Sequence, residues 1–351
     1  MLYALARNAL FRLDPEVAHD LALKSLSALG PGAAWLGAGS SHGEARRVMG
    51  LDFPNPVGIA AGLDKNGEYV DALAALGFGF VEIGTVTPRP QPGNARPRLF
   101  RLEAREALIN RLGFNNQGVE RLLRNVERAA FRGILGINIG KNADTPLERA
   151  AEDYLACLEA VYARASYVVV NVSSPNTKSL RDLQSEERLG ELLAALMERR
   201  ASLAARHGAT KPLVVKVAPD LDDAQVEAIA RLALAHRVDG LIATNTTVSR
   251  EAVAGDPRAS EAGGLSGRPL FAQATRVLAR FARALEGRVP LIGVGGIVDG
   301  TDAAAKAEAG ASLVQVYTGF IYRGPAVIAA ARRALAARAA RAPAAAAATE
   351  A

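Results

Sequence analysis

The chain has 351 residues, half of them hydrophobic and 22% charged, which suits one large globular domain with an appendage. Its net charge of +6 is spread thinly, and no Lys/Arg run with interleaved aromatics occurs, which argues against nucleic-acid binding. A single cysteine excludes an internal disulfide and fits a reducing compartment, the four histidines (His19, His42, His207, His236) lack metal-ligand spacing, and no apolar stretch reaches the ~18–20 residues that span a bilayer.

Leu2, Leu5, Ala6, Ala9, Leu10 and Leu13 fall at helical spacing, with Arg7 and Arg12 among them. This acid-free start lacks the apolar core and cleavage site of a secretory signal. Its composition would suit a transit peptide, but we read it as a helix kept on the mature protein. Asp14-Pro15 then reads as the N-cap and first-turn proline of a second helix carrying Val17, Ala18, Leu21, Ala22, Leu26 and Leu29 and ending at Gly30-Pro31. Trp35 and Leu36 follow in a Gly/Ser-rich linker. The pair, residues 1–40, is either a helical cap on the next domain or an amphipathic hairpin that lies on a membrane surface and frames a mouth for an apolar ligand.

The main domain spans residues 41–336, with its barrel beginning at Gly50. Short apolar runs start near Val57, Phe80, Leu135, Tyr167, Leu213, Gly240, Leu291 and Leu313. Each ends in a turn rich in Gly, Asn, Ser, Thr or Lys, and a helical stretch follows. Eight such units predict an α/β fold, a closed (β/α)₈ TIM barrel with a small N-terminal helical extension and its chemistry at the C-terminal strand ends. Pro88 to Gly113 is a long excursion after the second strand, with Arg98 to Leu102 and Leu108 to Asn110 as short extra strands. Cys157 falls on a helix expected over Pro146 to Ala163 and reads as a buried thiol. Gly255 to Arg268 is a second Gly-rich loop. From Ala326 an Ala/Arg helix runs into Pro343 and an alanine run, so residues 337–351 are expected to fray.

Unusual polar residues collect at the strand ends. Gly295-Gly296 after strand 7 and Tyr317-Thr318-Gly319 after strand 8 stand where barrels bind a phosphate through backbone N–H groups. Lys216 sits in an otherwise apolar strand, and three readings stay open for it: a salt-bridged structural lysine, a Schiff-base nucleophile, or a fixed cation beside a cofactor that gains negative charge. Lys65 is a second rim lysine. Asn110, Asn115, Asn116, Asn138, Asn142, Asn171, Asn176 and Asn245 are all expected in loops following strands, and their amides suit a small planar ligand with alternating C=O and N–H groups. No Ser-His-Asp arrangement is evident, which disfavours hydrolysis.

Taken together, these segments resemble the dihydroorotate dehydrogenase family. The matching stretches, in order along the barrel, are Ala60 to Lys65, Gly84 to Pro88, Asn110 to Asn116, Asn138 to Asn142, Asn171 to Thr177, Lys216 to Asp220, Ala243 to Thr247, Gly263 to Gly267 and Gly293 to Ile297. The resemblance is to the class 2, membrane-associated, quinone-reducing members. It implies FMN, with its phosphate on Gly296, Tyr317 and Thr318 and the rest along Ala61, Gly62, Lys65, Thr85, Asn138, Asn171, Lys216, Thr244 and Gly267. Dihydroorotate, oxidised to orotate in pyrimidine biosynthesis, would be held by Lys65, Asn110, Arg111, Leu112, Gly113, Phe114, Asn171, Asn176, Asn245 and Thr246. The family's base falls on Ser174, where soluble class 1 members carry cysteine, so the serine selects class 2. In that chemistry C5 loses a proton and C6 delivers a hydride to flavin N5.

By the same resemblance the N-terminal helices lie on the cytoplasmic side of the cell membrane and form a tunnel for ubiquinone or menaquinone, with His19, Arg101 and Tyr317 along it. A monomer or weak dimer is expected. Thr318 departs from relatives that carry serine, a change that a backbone contact to phosphate survives. The competing readings are an NAD- or fumarate-linked class 1 relative, a barrel aldolase acting through Lys216, and a non-catalytic membrane-docked scaffold.

Overall fold

The computed structural model describes residues 2–37 and 44–347; His42 and the junction expected between residues 40 and 41 lie outside them. Two helices open the chain, α1 (Leu2–Leu10) and α2 (Pro15–Ala28). The Asp14 carboxylate accepts from the Glu16 and Val17 amides at 2.9 and 3.1 Å, so α2 starts where the Asp-Pro signal places it. A 3₁₀ segment, Gly30–Leu36, carries Trp35 and Leu36, which the sequence reading had left in a linker.

Next come β1 (Arg46–Val48) and β2 (Leu51–Phe53), an antiparallel hairpin rather than the barrel's first strand. The barrel itself begins at β3 (Val57–Ile59), followed by α3 (Val70–Ala75), β4 (Phe80–Val86), β5 (Leu99–Leu102), β6 (Ala107–Asn110), α4 (Val119–Arg128), β7 (Ile134–Ile139), α5 (Ala150–Val161) and β8 (Tyr167–Asn171). The second half comprises α6 (Glu186–His207), β9 (Leu213–Val217), α7 (Asp223–Ala235), β10 (Gly240–Ala243), β11 (Gly264–Gly267), α8 (Phe271–Leu285), β12 (Leu291–Val294), α9 (Gly300–Glu308), β13 (Ala311–Val316), α10 (Thr318–Arg323) and α11 (Ala326–Ala347). The last helix therefore continues past Pro343 into the alanine run, and residues 348–351 lie outside the described residues.

Strands β3, β4, β7, β8, β9, β10, β12 and β13 pair in parallel and close into the expected barrel. One apolar cluster fills its interior with Phe80, Tyr167, Val169, Val214, Ile242, Ile292 and Leu313; a larger one packs the strands against the helices and includes the buried Cys157. Beyond the rim, β5, β6 and β11 form a separate three-stranded antiparallel sheet. The extra strands near residues 99–110 are thus present, but the end of the Gly255–Arg268 loop is a strand, Gly264–Gly267. Gly264-Leu265-Ser266-Gly267 shows no alternation to betray it, and it is extended because β6 offers it a free edge.

The β1–β2 hairpin stoppers the N-terminal end of the barrel. Phe53 meets the Phe80 ring edge-on at 5.1 Å, and Phe80 in turn meets Tyr167 at 6.5 Å. All three rings are buried, at the end of the barrel that carries stability rather than chemistry. Phe80→Ala should therefore lower unfolding free energy by about 3–5 kcal/mol in a urea titration while leaving ligand binding at the opposite rim unchanged.

Candidate active site

The C-terminal rim encloses a cleft of about 960 Å³. Its floor is a buried polar lattice that spans the strands. Glu82 of β4 is the charged hub, with Lys216 of β9 at 3.9 Å from one carboxylate oxygen. The Asn138 amide donates to that same oxygen at 2.9 Å. The other oxygen accepts from Tyr167 at 3.2 Å and from the Gln315 amide. Thr85 donates to Asn138 at 2.6 Å and accepts from Asn171 at 2.9 Å. The Asn171 carbonyl oxygen accepts from the Ser173 hydroxyl at 3.1 Å, and Asn245 donates to that hydroxyl at 3.0 Å. One anion fixes the direction of side chains from six strand ends. Burial pushes the Lys216 ammonium below its ordinary pKa, and Glu82 pulls it back up.

Two walls rise from this floor. On one side stand Asn110, Leu112, Gly113 and Phe114 from the excursion after β4, facing Ser174, Asn176, Asn245 and Thr246. Asn176 donates to Asn110 at 3.0 Å, and its backbone N–H donates to the Ser174 hydroxyl at 3.2 Å. Arg181 ties the base of this wall together by donating to the carbonyls of Ser173 and Thr246 at 3.1 and 2.8 Å while it pairs with Asp220 at 2.8 Å. On the other side lie Gly267, Gly295, Gly296, Thr318 and Gly319, with Thr318 donating to Ser266 at 2.8 Å. Gly296 has φ +83°, and a Cβ there would sit 2.3 Å from the Phe271 Cα, so only glycine lets the loop pass the start of α8.

Ala61, Gly62 and Lys65 come from the turn after β3. The Asp64 carboxylate accepts from the Glu68 and Tyr69 amides at 3.0 and 2.7 Å, which fixes that turn, and Lys65 donates to the Gly62 carbonyl at 2.9 Å. Burial lowers the Lys65 ammonium pKa to about 8.

Most residues singled out from sequence thus meet in one cleft: Ser174, Lys65, Lys216, Thr85, Thr244, Asn171 and the glycine loops all line it. Asn138 lies beneath, inside β7, and is tied to cleft-lining residues through Thr85 and Glu82. Arg111 turns away: its guanidinium pairs with Glu261 at 2.7 Å and stacks over Phe100 at 4.5 Å. Asn116 and Asn142 brace the excursion by bonding Thr87 and Arg89, not the cleft. Glu82, Tyr167, Gln315 and Arg181 escaped the sequence reading. Glu82 was findable, since a lone carboxylate in an apolar strand needs a partner as much as Lys216 does.

A second, apolar cavity of about 1710 Å³ runs between α1, α2 and the barrel. Leu10, Ala18, Ala22 and Leu26 form part of its walls, and His19, Arg101 and Tyr317 are all on it. Tyr317 also lines the rim cleft, so one side chain separates the two spaces. Burial, with Lys65 nearby, lowers His19 to about 4, which keeps the imidazole neutral. Arg101 caps the α1–α2 turn by donating to the Phe11 and Leu13 carbonyls at 3.1 and 2.9 Å, with its guanidinium over the Phe11 ring.

The dihydroorotate dehydrogenase family model matches residues 45–338. The chain belongs to that family. It is 60% identical over 333 residues to "Dihydroorotate dehydrogenase (quinone)" of Chromobacterium violaceum, covering 93% of this chain and 96% of that protein. The protein of the same name from Paraburkholderia phymatum is 60% identical over 340 residues, covering 97% and 99%. Among solved structures, dihydroorotate dehydrogenase from Eimeria tenella in complex with ferulenol superposes with TM-score 0.85 at 40% identity, covering 92% of this chain and 90% of that one. The ligand-free form gives 0.82 at 39% identity. The chain is an oxidoreductase of the quinone-dependent branch.

Breaking the floor's ion pair from one side leaves a buried, uncompensated carboxylate. Lys216→Met should lower stability by about 3–5 kcal/mol in urea unfolding, and adding Glu82→Gln should restore most of that loss.

Proposed function

We propose that this enzyme oxidises dihydroorotate to orotate in pyrimidine biosynthesis with FMN in the rim cleft, and passes the electrons to a membrane quinone in the apolar cavity. One observation carries the reading: a polar cleft and a long apolar channel share the single wall of Tyr317. The cleft's chemistry fits a flavin and a small planar acid. Asn176 Oδ1, Thr246 Oγ1 and Gln315 Oε1 are buried without a hydrogen-bond partner among the described residues, and all three residues line the cleft, so polar ligand atoms have somewhere to bond. Backbone N–H groups of the Gly295-Gly296 and Thr318-Gly319 loops would hold the phosphate. Bound there, FMN supplies the two-electron acceptor for the hydride from C6 and the donor for the quinone.

The remaining chemistry belongs to the chain. Lys216, anchored by Glu82, serves as the fixed cation of its third reading, and the family membership removes the reason to invoke a Schiff base. Lys65 meets the substrate carboxylate, while Asn110, Asn176 and Asn245 address the ring amides. Ser174, buried at the cleft wall, takes the C5 proton.

The extension supports a membrane role through its outer face. Leu5, Leu13, Val17 and Trp35 are exposed without lining the channel, Trp35 by 93%, and Val248 is the one exposed large hydrophobic found beyond residue 36 among the described residues. A cap on a water-facing barrel would be apolar only inward; these helices are apolar on both sides. No described helix is long and apolar enough to cross a membrane, so we place the enzyme peripherally, on the cytoplasmic face.

Ser174→Ala should retain a flavin spectrum yet slow anaerobic flavin reduction by dihydroorotate roughly 10²–10⁴-fold in stopped-flow absorbance; near-normal reduction would remove Ser174 as the base. Ala22→Trp, which fills the channel, should leave that reduction intact and abolish most turnover with a long-chain quinone. Unimpaired turnover would sink the channel assignment.

A further inference from the structure

A third cavity of about 740 Å³, lined mostly by charged and polar side chains, shares lining residues with both the rim cleft and the apolar channel. Lys65 borders both it and the rim cleft, His19 borders both it and the channel, and Tyr317 borders all three. The groups around Lys65 come from three elements. Helix α2 contributes Glu16, His19 and Asp20; the lysine's own turn contributes Asp64, Glu68 and Tyr69; and the segment leading into β5 contributes Arg96. Behind them Arg98 pairs with Glu16 at 2.6 Å, and Arg96 pairs with the other Glu16 oxygen.

These groups differ in how free they are to act on the lysine. The Asp64 carboxylate is engaged by backbone amides of its own turn. The buried imidazole of His19 is neutral. Glu16, although paired with Arg96 and Arg98, is the carboxylate that raises the Lys65 pKa most, ahead of Asp64 and Asp20, and it stands with Asp20 on α2 at the cavity. Arg98, paired with Glu16 from behind the cavity wall, is a cation whose contribution opposes theirs. Arg98 is itself held in place by the Pro92 and Asn94 carbonyls at 2.7 and 2.8 Å, so it stays where it is whatever the state of its partner.

We infer that Glu16, on the helix that walls the quinone channel, is a positioning residue for dihydroorotate: its charge holds Lys65 as the ammonium ion that binds the substrate carboxylate, and Arg98 sets how strongly it does so. The inference rests on Lys65 being the carboxylate-binding residue. It makes the N-terminal extension part of the substrate site as well as of the quinone site.

The sign follows directly. Burial has already brought the Lys65 pKa down to about 8, so the ammonium is lost, and carboxylate binding with it, as pH rises through that value. Removing the Glu16 charge disfavours the ammonium further, while removing the Arg98 charge favours it.

The test is the orotate Kd of the FMN-loaded enzyme, measured by titration calorimetry from pH 6 to 10. In the wild type affinity should fall above about pH 8. Glu16→Gln should move that fall to lower pH by about half to one unit, a roughly two- to fivefold weaker Kd near pH 8 that approaches three- to tenfold above about pH 9, with affinity at pH 6 nearly unchanged. The exposed Asp20→Asn should shift it the same way by less, and Arg98→Met the opposite way. Midpoints that stay put, or Glu16 and Arg98 variants that weaken binding equally at every pH, would overturn the coupling. A wild-type midpoint that persists in Lys65→Met would instead show that Lys65 is not the titrating carboxylate partner, which defeats the underlying assignment.

Discussion

A carboxylate buried in the middle of a barrel has to be satisfied from every side, and Glu82 is that carboxylate. Its two oxygens draw in Lys216, Asn138, Tyr167 and Gln315, which lie on four different strands. Each of those groups then has a fixed direction, and Thr85, Asn171, Ser173 and Asn245 inherit theirs in turn. An apolar floor of equal volume would be at least as stable, since a buried ion pair seldom repays its desolvation. What the polar floor adds is preorganisation: the amides that face a ligand are aimed before it arrives, so little reorganisation accompanies binding.

The same constraint explains why the walls depend on residues that never touch the cleft. Ser174 and Thr246 sit on separate loops, after β8 and β10, and free loops would not fix the positions of their hydroxyls. Arg181 bonds one carbonyl in each loop and closes on Asp220, which also receives the Thr247 hydroxyl and the Gln273 amide. The rim is therefore stiffened outside the cleft as the floor is stiffened below it.

Much of this was legible in the sequence, for a simple reason. Parallel barrel strands are buried on both faces, so they read as apolar runs, and the eight run starts fall within three residues of the observed strands. The glycine loops and rim amides were legible because their residue types are unusual at strand ends. What stayed hidden is what depends on a distant partner. Gly264–Gly267 is a strand only because β6 offers an edge. Arg111, adjacent to cleft residues in sequence, turns outward because Glu261 and Phe100 claim its guanidinium. Arg101 lines the channel, and both its side-chain hydrogen bonds also hold the turn between α1 and α2.

The helical extension is where local sequence said least and the packed structure says most. An amphipathic hairpin can cap a core or lie on a lipid surface, and its period does not distinguish the two. In the structure the inward face of α1 and α2 is not packed flush against the barrel but stands off it around a cavity of about 1710 Å³. Polar struts keep that gap open: Tyr3 donates to the Ile321 carbonyl at 2.7 Å, Arg7 to Tyr322 at 3.0 Å, and Glu16 pairs with Arg98 at 2.6 Å. Hydrophobic collapse alone would close a gap lined by leucine and alanine; directed bonds at its edges hold the helices at a distance that collapse would not choose. Tyr317 then stands where the channel meets the cleft, with its phenol pushed up to about 12 by burial and its hydroxyl 3.3 Å from the Gly62 carbonyl. At neutral pH it is an uncharged side chain shared by two chambers of opposite polarity.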